Sequence, residues 1–182
     1  GGPFLDWLET RHMGTDIHMR WQRKHDDAWI DIPGTPGDWG RSYFLFGVLA
    51  GVRDAEPLPI AAPRGWPADI EWDDDELHHR SWLLGSEIVA HRVGTVRRYG
   101  IVNVGDLCWR TRSRPATGWC GFVDGPGISV AGINDPVVPD VTTHVRTFWD
   151  EDGDSLIAPF VDFVRGLMAE HGEVRLVFAF DC

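Results

Sequence analysis

Met13-Gly14-Thr15-Asp16-Ile17-His18-Met19-Arg20-Trp21 is the stretch around which the chain is organised. Ile17, Met19 and Trp21 alternate with His18, Arg20 and Gln22. That is the period of a half-buried β-strand, with apolar side chains inward and the polar set outward. Asp16 lies two residues before His18, so both project from the same face of the strand. An aspartate and a histidine so placed form a compact polar unit. It can orient an imidazole, hold a metal, or simply hydrogen-bond.

Outward from this strand, His25-Asp26-Asp27 reads as a turn and residues 28–32 as a returning strand, which makes a hairpin. The Pro33–Gly37 stretch stops it. Ser42 is a candidate cap for a buried helix over 42–53, apolar nearly all round. Gly47 and Gly51, four apart, cost helix propensity but permit another backbone to come close. Four prolines break residues 54–76 into a long loop with a strongly acidic end, and such loops are often functional. The acidic run itself reads as solvated surface. A short helix capped by Ser86 runs to His91. Residues 92–114 form the one basic region, and the Gly-rich residues 118–135 read as strands and turns.

Asp150-Glu151-Asp152-Gly153-Asp154 departs from a calcium-binding EF-hand loop. The sixth position from Asp150 is Ser155 rather than Gly, and the twelfth is Val161 rather than Glu. An acidic lead-in to a helix over 156–171 fits better, with Pro159 in its first turn and Gly172 as its left-handed cap. Residues 174–181 close the chain. They are apolar on both parities from Leu176 to Phe180, the pattern of a central strand covered on both faces. The fold expected is α+β: a single domain over 13–182, mainly antiparallel sheet with two principal helices packed on it. Residues 1–12 read as a leader or mis-assigned start ahead of Met13, with an N-terminal extension docking Phe4, Leu5, Trp7 and Leu8 as the alternative.

The chain has 182 residues, ten of them Trp, and a formal net charge of −11. A protein that grips polymeric nucleic acid carries a basic footprint, so that class is not expected, although a small anion needs only a local basic patch. The Trp content suits a pocket or an interface as well as a core. Cys108, Cys120 and Cys182 are odd in number and contain no C-x-x-C, which suits buried thiols in a reduced, cytoplasmic protein. No apolar run reaches the ~20 residues a membrane helix needs.

Several segments resemble, in the same order, a family of small phage- and prophage-encoded proteins. Residues 13–18 are similar to an opening MGCDIH, residues 40–53 to GRNYDLFAxLAxVR, residues 63–67 to PRGLP, residues 78–83 to HSxSWL, and residues 174–181 to a closing VRxVFWFD. Thr15, Ser42, Phe44 and Ala179 depart from the pattern, and Phe44 removes a carboxylate. The resemblance implies a phage origin and a shared polar set. It specifies no reaction.

The candidate catalytic residues are Asp16, His18 and His78. Two histidines from separate segments can act as acid and base on a phosphodiester. Arg41 and Arg64 are candidate phosphate clamps, with Tyr43, His79, Ser81 and Asp181 as further ligand contacts. A divalent metal is a candidate cofactor, held by Asp16, His18 and His78, although no H-x-x-x-H occurs. The plain alternatives are that Asp16 and His18 tie the hairpin to the sheet, that His78 and His79 are loop residues, and that the arginines pair with the acidic loop. The expected function is a phage-type accessory protein for host takeover or counter-defence. It would bind, and as an enzyme hydrolyse, a phosphorylated nucleotide-like small molecule. A sequestering protein without turnover and a protein–protein interaction module, including a homo-oligomer, are the competing classes.

Overall fold

A computed structural model of the chain describes residues 14–103, 129–131 and 143–181. The expectations for residues 1–12, for the three cysteines, for most of 118–135 and for the latter half of the basic region lie outside these. The described residues fall into two compact units, one of residues 14–94 and 153–181 and the other of residues 95–103, 129–131 and 143–152.

The first unit is α+β, as expected. Strand β1 (Ile17–His25) turns through Asp26 and Asp27, both at positive φ, into β2 (Ala28–Asp31). With β3 (His78–Leu84) and the closing strand, here called β7 (Val174–Phe180), they form an antiparallel sheet of order β2-β1-β7-β3. β7 is therefore central, and all seven of its residues are buried.

Register separates the two faces of the sheet. Ile17 pairs with Phe180, Met19 with Phe178 and Trp21 with Leu176, and these six apolar residues make one face. Helix α1 (Tyr43–Ala50) covers one end of it through the Phe46–Phe180 ring contact at 5.1 Å. The long helix α3 (Gly153–His171) covers the other, where Trp21 and Trp39 pack on Phe160 and Phe163 at 5.2–5.8 Å. The short helix α2 (Gly85–Ala90) follows β3. The opposite face carries His18, Arg20 and Gln22 from β1 and Arg175 from β7. The Pro-rich loop lies over its middle. Asp69 meets Arg175, the carbonyl of Glu71 accepts from Arg20, and Trp72 stacks on Trp66 at 4.8 Å.

Three boundaries differ from the sequence expectations. Helix α1 ends at Ala50, not Arg53, because Gly51 takes the left-handed conformation and returns its N–H to Gly47. Ser42 stands at its N-cap without a side-chain hydrogen bond. Leu84 rather than Ser86 precedes α2, and its N–H is held by Glu87 Oε2 at 2.8 Å. Pro159 lies inside α3, well beyond the first turn. Its ring is on the exposed side of the helix, where the loss of one N–H is tolerated while the buried stripe of Ile157, Phe160, Val161, Val164 and Leu167 keeps the helix packed.

The second unit contains β4 (Thr95–Asn103), β5 (Ser129–Ala131) and β6 (Thr143–Asp152) in the order β4-β6-β5. β4 and β6 are antiparallel and β5 and β6 parallel. Asp150 accepts from Arg97 at 3.0 Å, across this sheet. Among the described residues, no helix is long and apolar enough to cross a membrane.

Candidate functional site

The start of β1 and the end of β7 come together because their register places Ile17 opposite Phe180. One step further on, Asp181 donates its backbone N–H to the carbonyl of Asp16 at 3.1 Å. The Asp181 carboxylate then accepts twice. Oδ1 takes the Asp16 N–H at 3.1 Å, and Oδ2 meets His18 Nε2 at 2.7 Å. An ionised carboxylate only accepts, so Nε2 carries the proton, and in the neutral ring Nδ1 is left with its lone pair. His18 is 41% exposed and Asp181 33%. The dyad is therefore held by the sheet yet open to a ligand.

Arg41 completes the cluster. It forks onto Asp16, Nε to Oδ1 at 2.8 Å and Nη2 to Oδ2 at 3.3 Å. Arg41 hydrogen bonds, its positive charge and the nearby His18 hold the Asp16 carboxyl below the usual range despite some desolvation, and Asp16 in turn raises Arg41. Gly14 makes the geometry possible, because a β-carbon there would occupy the space of the Arg41 guanidinium.

Beside this cluster lies a second set, in which the expected ligand contact Tyr43 is joined by Thr15 and Arg53, two residues that the sequence did not single out as site residues. Thr15 is 1% exposed; its N–H goes to the Tyr43 hydroxyl at 3.2 Å and its Oγ1 accepts from Arg53 Nε at 2.5 Å. Arg53 stacks over the Tyr43 ring at 5.7 Å and itself holds a positive φ of 66°. Its sequence signal was faint: an arginine two residues past a glycine that ends a helix.

The remaining candidates are elsewhere. His78 pairs with Phe180, whereas His18 pairs with Ala179, its neighbour. Successive residues of one strand point to opposite faces, so His78 looks to the helix side and stacks near Phe180 at 6.3 Å, while His18 looks to the loop side. The two histidines expected to work as an acid–base pair are thus not brought together. His78 instead shares a proton between its Nδ1 and that of His79, 2.7 Å apart, where His79 takes a positive φ at an irregularity in β3.

Arg64 lies on the β3 side of the sheet. It forks onto Glu87 at 2.6 and 2.9 Å, covers Trp82 at 4.6 Å, and gives its backbone N–H to the buried Ser81 hydroxyl at 3.0 Å. Glu87 is held below its usual range by those Arg64 bonds. Neither Arg41 nor Arg64 pairs with the acidic loop; Arg175 does. It is 5% exposed, shares Gln22 Oε1 between two nitrogens and pairs with Asp69 at 2.7 Å, and the Asp69 carboxyl is lowered by that bond.

Among the described residues, no group of three or more His, Cys, Asp or Glu side chains is arranged to hold a metal ion. What the sheet end offers is one oriented imidazole, one carboxylate behind it, and one arginine on an exposed ion pair. Exposed pairs of this kind contribute little, so a ligand oxyanion can draw Arg41 from Asp16 at small cost. No protein-family model, curated protein or solved structure matches the chain.

Proposed function

We propose that the sheet end formed by Asp16, His18, Arg41 and Asp181 binds a small phosphorylated, nucleotide-like molecule and hydrolyses it. The observation that carries this is the 2.7 Å contact between His18 and Asp181, with the opposite ring nitrogen free of any partner among the described residues. Asp181 fixes the tautomer and stabilises the ring when it takes up a proton, and Nδ1 accepts that proton from water as the water oxygen attacks phosphorus. The phosphorus–oxygen bond to the leaving group then breaks, and the departing oxygen recovers a proton. Arg41 holds the phosphoryl oxygens through its planar fork. A divalent ion, if bound, would be held by Asp16 and would supply further positive charge to the phosphoryl group. The resemblance to phage-encoded proteins supports a substrate from host nucleotide metabolism or nucleotide signalling, met in the cytoplasm of an infected bacterium.

Sequestration without turnover is the second reading. It is favoured by the placement of His78 on the other face, which leaves one histidine to serve as both base and acid. Incubating the purified protein with mono-, di-, tri- and cyclic nucleotides, with and without magnesium or manganese, separates the two. New products mean hydrolysis. Intact nucleotide recovered after denaturing the protein means sequestration. A panel that is neither converted nor retained contradicts both.

A further inference from the structure

A cavity of about 210 Å³ lies between the chain leaving α2 and the first turns of α3, lined by none of the residues of the sheet-end cluster. Its floor is apolar, from Ile157 and Val161. Its rim carries Arg92, Arg165, His91 and Asp154. The one carboxylate there is already engaged, since Asp154 accepts the N–H groups of Val93 and Gly94 at 2.9 and 3.1 Å.

The two arginines are less committed. Arg92 uses Nη1 alone for its bonds to the Val89 and His91 carbonyls at 3.0 and 3.2 Å, and among the described residues its other nitrogens have no partner. Arg165 makes a 3.4 Å contact with Asp162, and both side chains are more than half exposed. His91 Nε2 is buried without a hydrogen-bond partner among the described residues. A buried polar atom in this condition is unusual and calls for a ligand or water. Asp154 is taken up by backbone N–H groups and Asp162 pairs only loosely with Arg165, so Arg92 keeps N–H groups directed to no carboxylate among the described residues, in a chain whose net charge is −11.

We infer that this cavity is a second binding site, for a small organic monoanion with a carboxylate head and an apolar body. Arg92 and Arg165 take the carboxylate, His91 Nε2 donates to it, and the body rests on Ile157 and Val161. Arg92, a loosely paired Arg165 and one imidazole donor suit the two oxygens of a carboxylate better than the three oxygens of a phosphate dianion. The volume is below the roughly 300–1,000 Å³ of drug-sized ligand sites, so the occupant is small.

Benzoate is a suitable probe, with benzylamine and inorganic phosphate as comparators, followed by two-dimensional NMR of the full chain. The expected result is saturable benzoate shifts at His91, Arg92, Ile157 and Val161, with no saturation by benzylamine or phosphate. Arg92→Gln and Arg165→Gln should each weaken benzoate at least tenfold. Ala158→Phe, which fills the cavity from its wall, should abolish binding while the remaining resonances hold their positions. No saturable shift, shifts centred elsewhere, equal binding of benzylamine or phosphate, or benzoate affinity unchanged in all three variants would each overturn the inference.

Discussion

His18 and Asp181 are 163 positions apart in the chain and 2.7 Å apart in space because β1 and β7 run antiparallel with Ile17 opposite Phe180. Asp181→Asn keeps a hydrogen-bonding group of the same shape but removes the charge that stabilises a protonated ring. Its expected effect is a fall in turnover of roughly 10²–10⁴-fold with little change in KM, measured by steady-state kinetics on the nucleotide that is converted. Asp16 gives a pH signature. Its folded carboxyl is lowered by Arg41, so the stability it contributes is present above the unfolded value of about 3.9 and is lost as pH falls through the folded value. Gly14→Ala should expel the guanidinium and return the Asp16 titration to the ordinary range. Carbon-detected NMR of the Asp16 carboxyl reads this directly, and an unmoved titration would mean that Arg41 is not its cause. Asp16 and His18 could be read from strand parity alone, and Asp181 from its position at the end of an apolar strand. Arg41 and Arg64 are expected from the sequence as phosphate clamps, but their carboxylate partners Asp16 and Glu87 are not legible there, because a long side chain on a loop chooses its carboxylate in three dimensions.

At the scale of elements, the two glycines of α1 do different work. A β-carbon at Gly47 would meet the carbonyl of Asp54, so this is the close approach of another backbone that the spacing suggested. Gly51 serves the turn, at a φ of 70°. Gly47→Ala is expected to cost about 1–3 kcal/mol through overpacking, and Gly51→Ala about 1–2 kcal/mol through the left-handed backbone. Urea midpoints measure both. The loop over the sheet is pinned where Asp69 meets Arg175. Asp69→Asn removes the charge and one of the two carboxylate oxygens that face the buried guanidinium and should cost about 1–3 kcal/mol, whereas Arg175→Met, of similar length and apolar, should cost less. If Met proves the worse of the two, the pair is a net source of stability. Arg175 stands just before the apolar run of the closing strand, and its burial against Gln22 and Asp69 was not legible from the sequence. The acidic run offered too many carboxylates to say which it would meet. Strand β3 shows the converse limit: the sequence offers His78 as catalytic and His79 as a ligand contact, and only the register opposite Phe180 and the irregularity at His79 decide which face His78 takes.

At the scale of the molecule, the second unit is inserted between Gly94 and Gly153, whose backbones are hydrogen-bonded to each other at 2.8 Å. The ends of the insertion are therefore already closed within the first unit. Replacing residues 95–152 by a short Gly/Ser linker should leave a cooperatively folding protein that keeps the Asp16–His18–Asp181 geometry. Loss of cooperative unfolding in that protein would show that the first unit depends on the insertion. The hairpin and the long helix were legible from their periods, and the central strand and α1 from unbroken apolar runs with clear stops. The insertion was not, since a change of contact partner leaves no mark on local periodicity.

The most direct test of the sheet-end assignment is His18→Ala, assayed against the nucleotide panel alongside the unaltered protein, with the amide spectrum recorded on the same sample. The expected result is abolished turnover, or ligand binding weaker by about 1–3 kcal/mol where the protein only sequesters, with the spectrum otherwise preserved because the apolar face of β1 is untouched. Turnover and binding intact in a correctly folded variant, or stability lost while ligand handling survives, would contradict it and leave His18 as a residue that ties β1 to the end of β7.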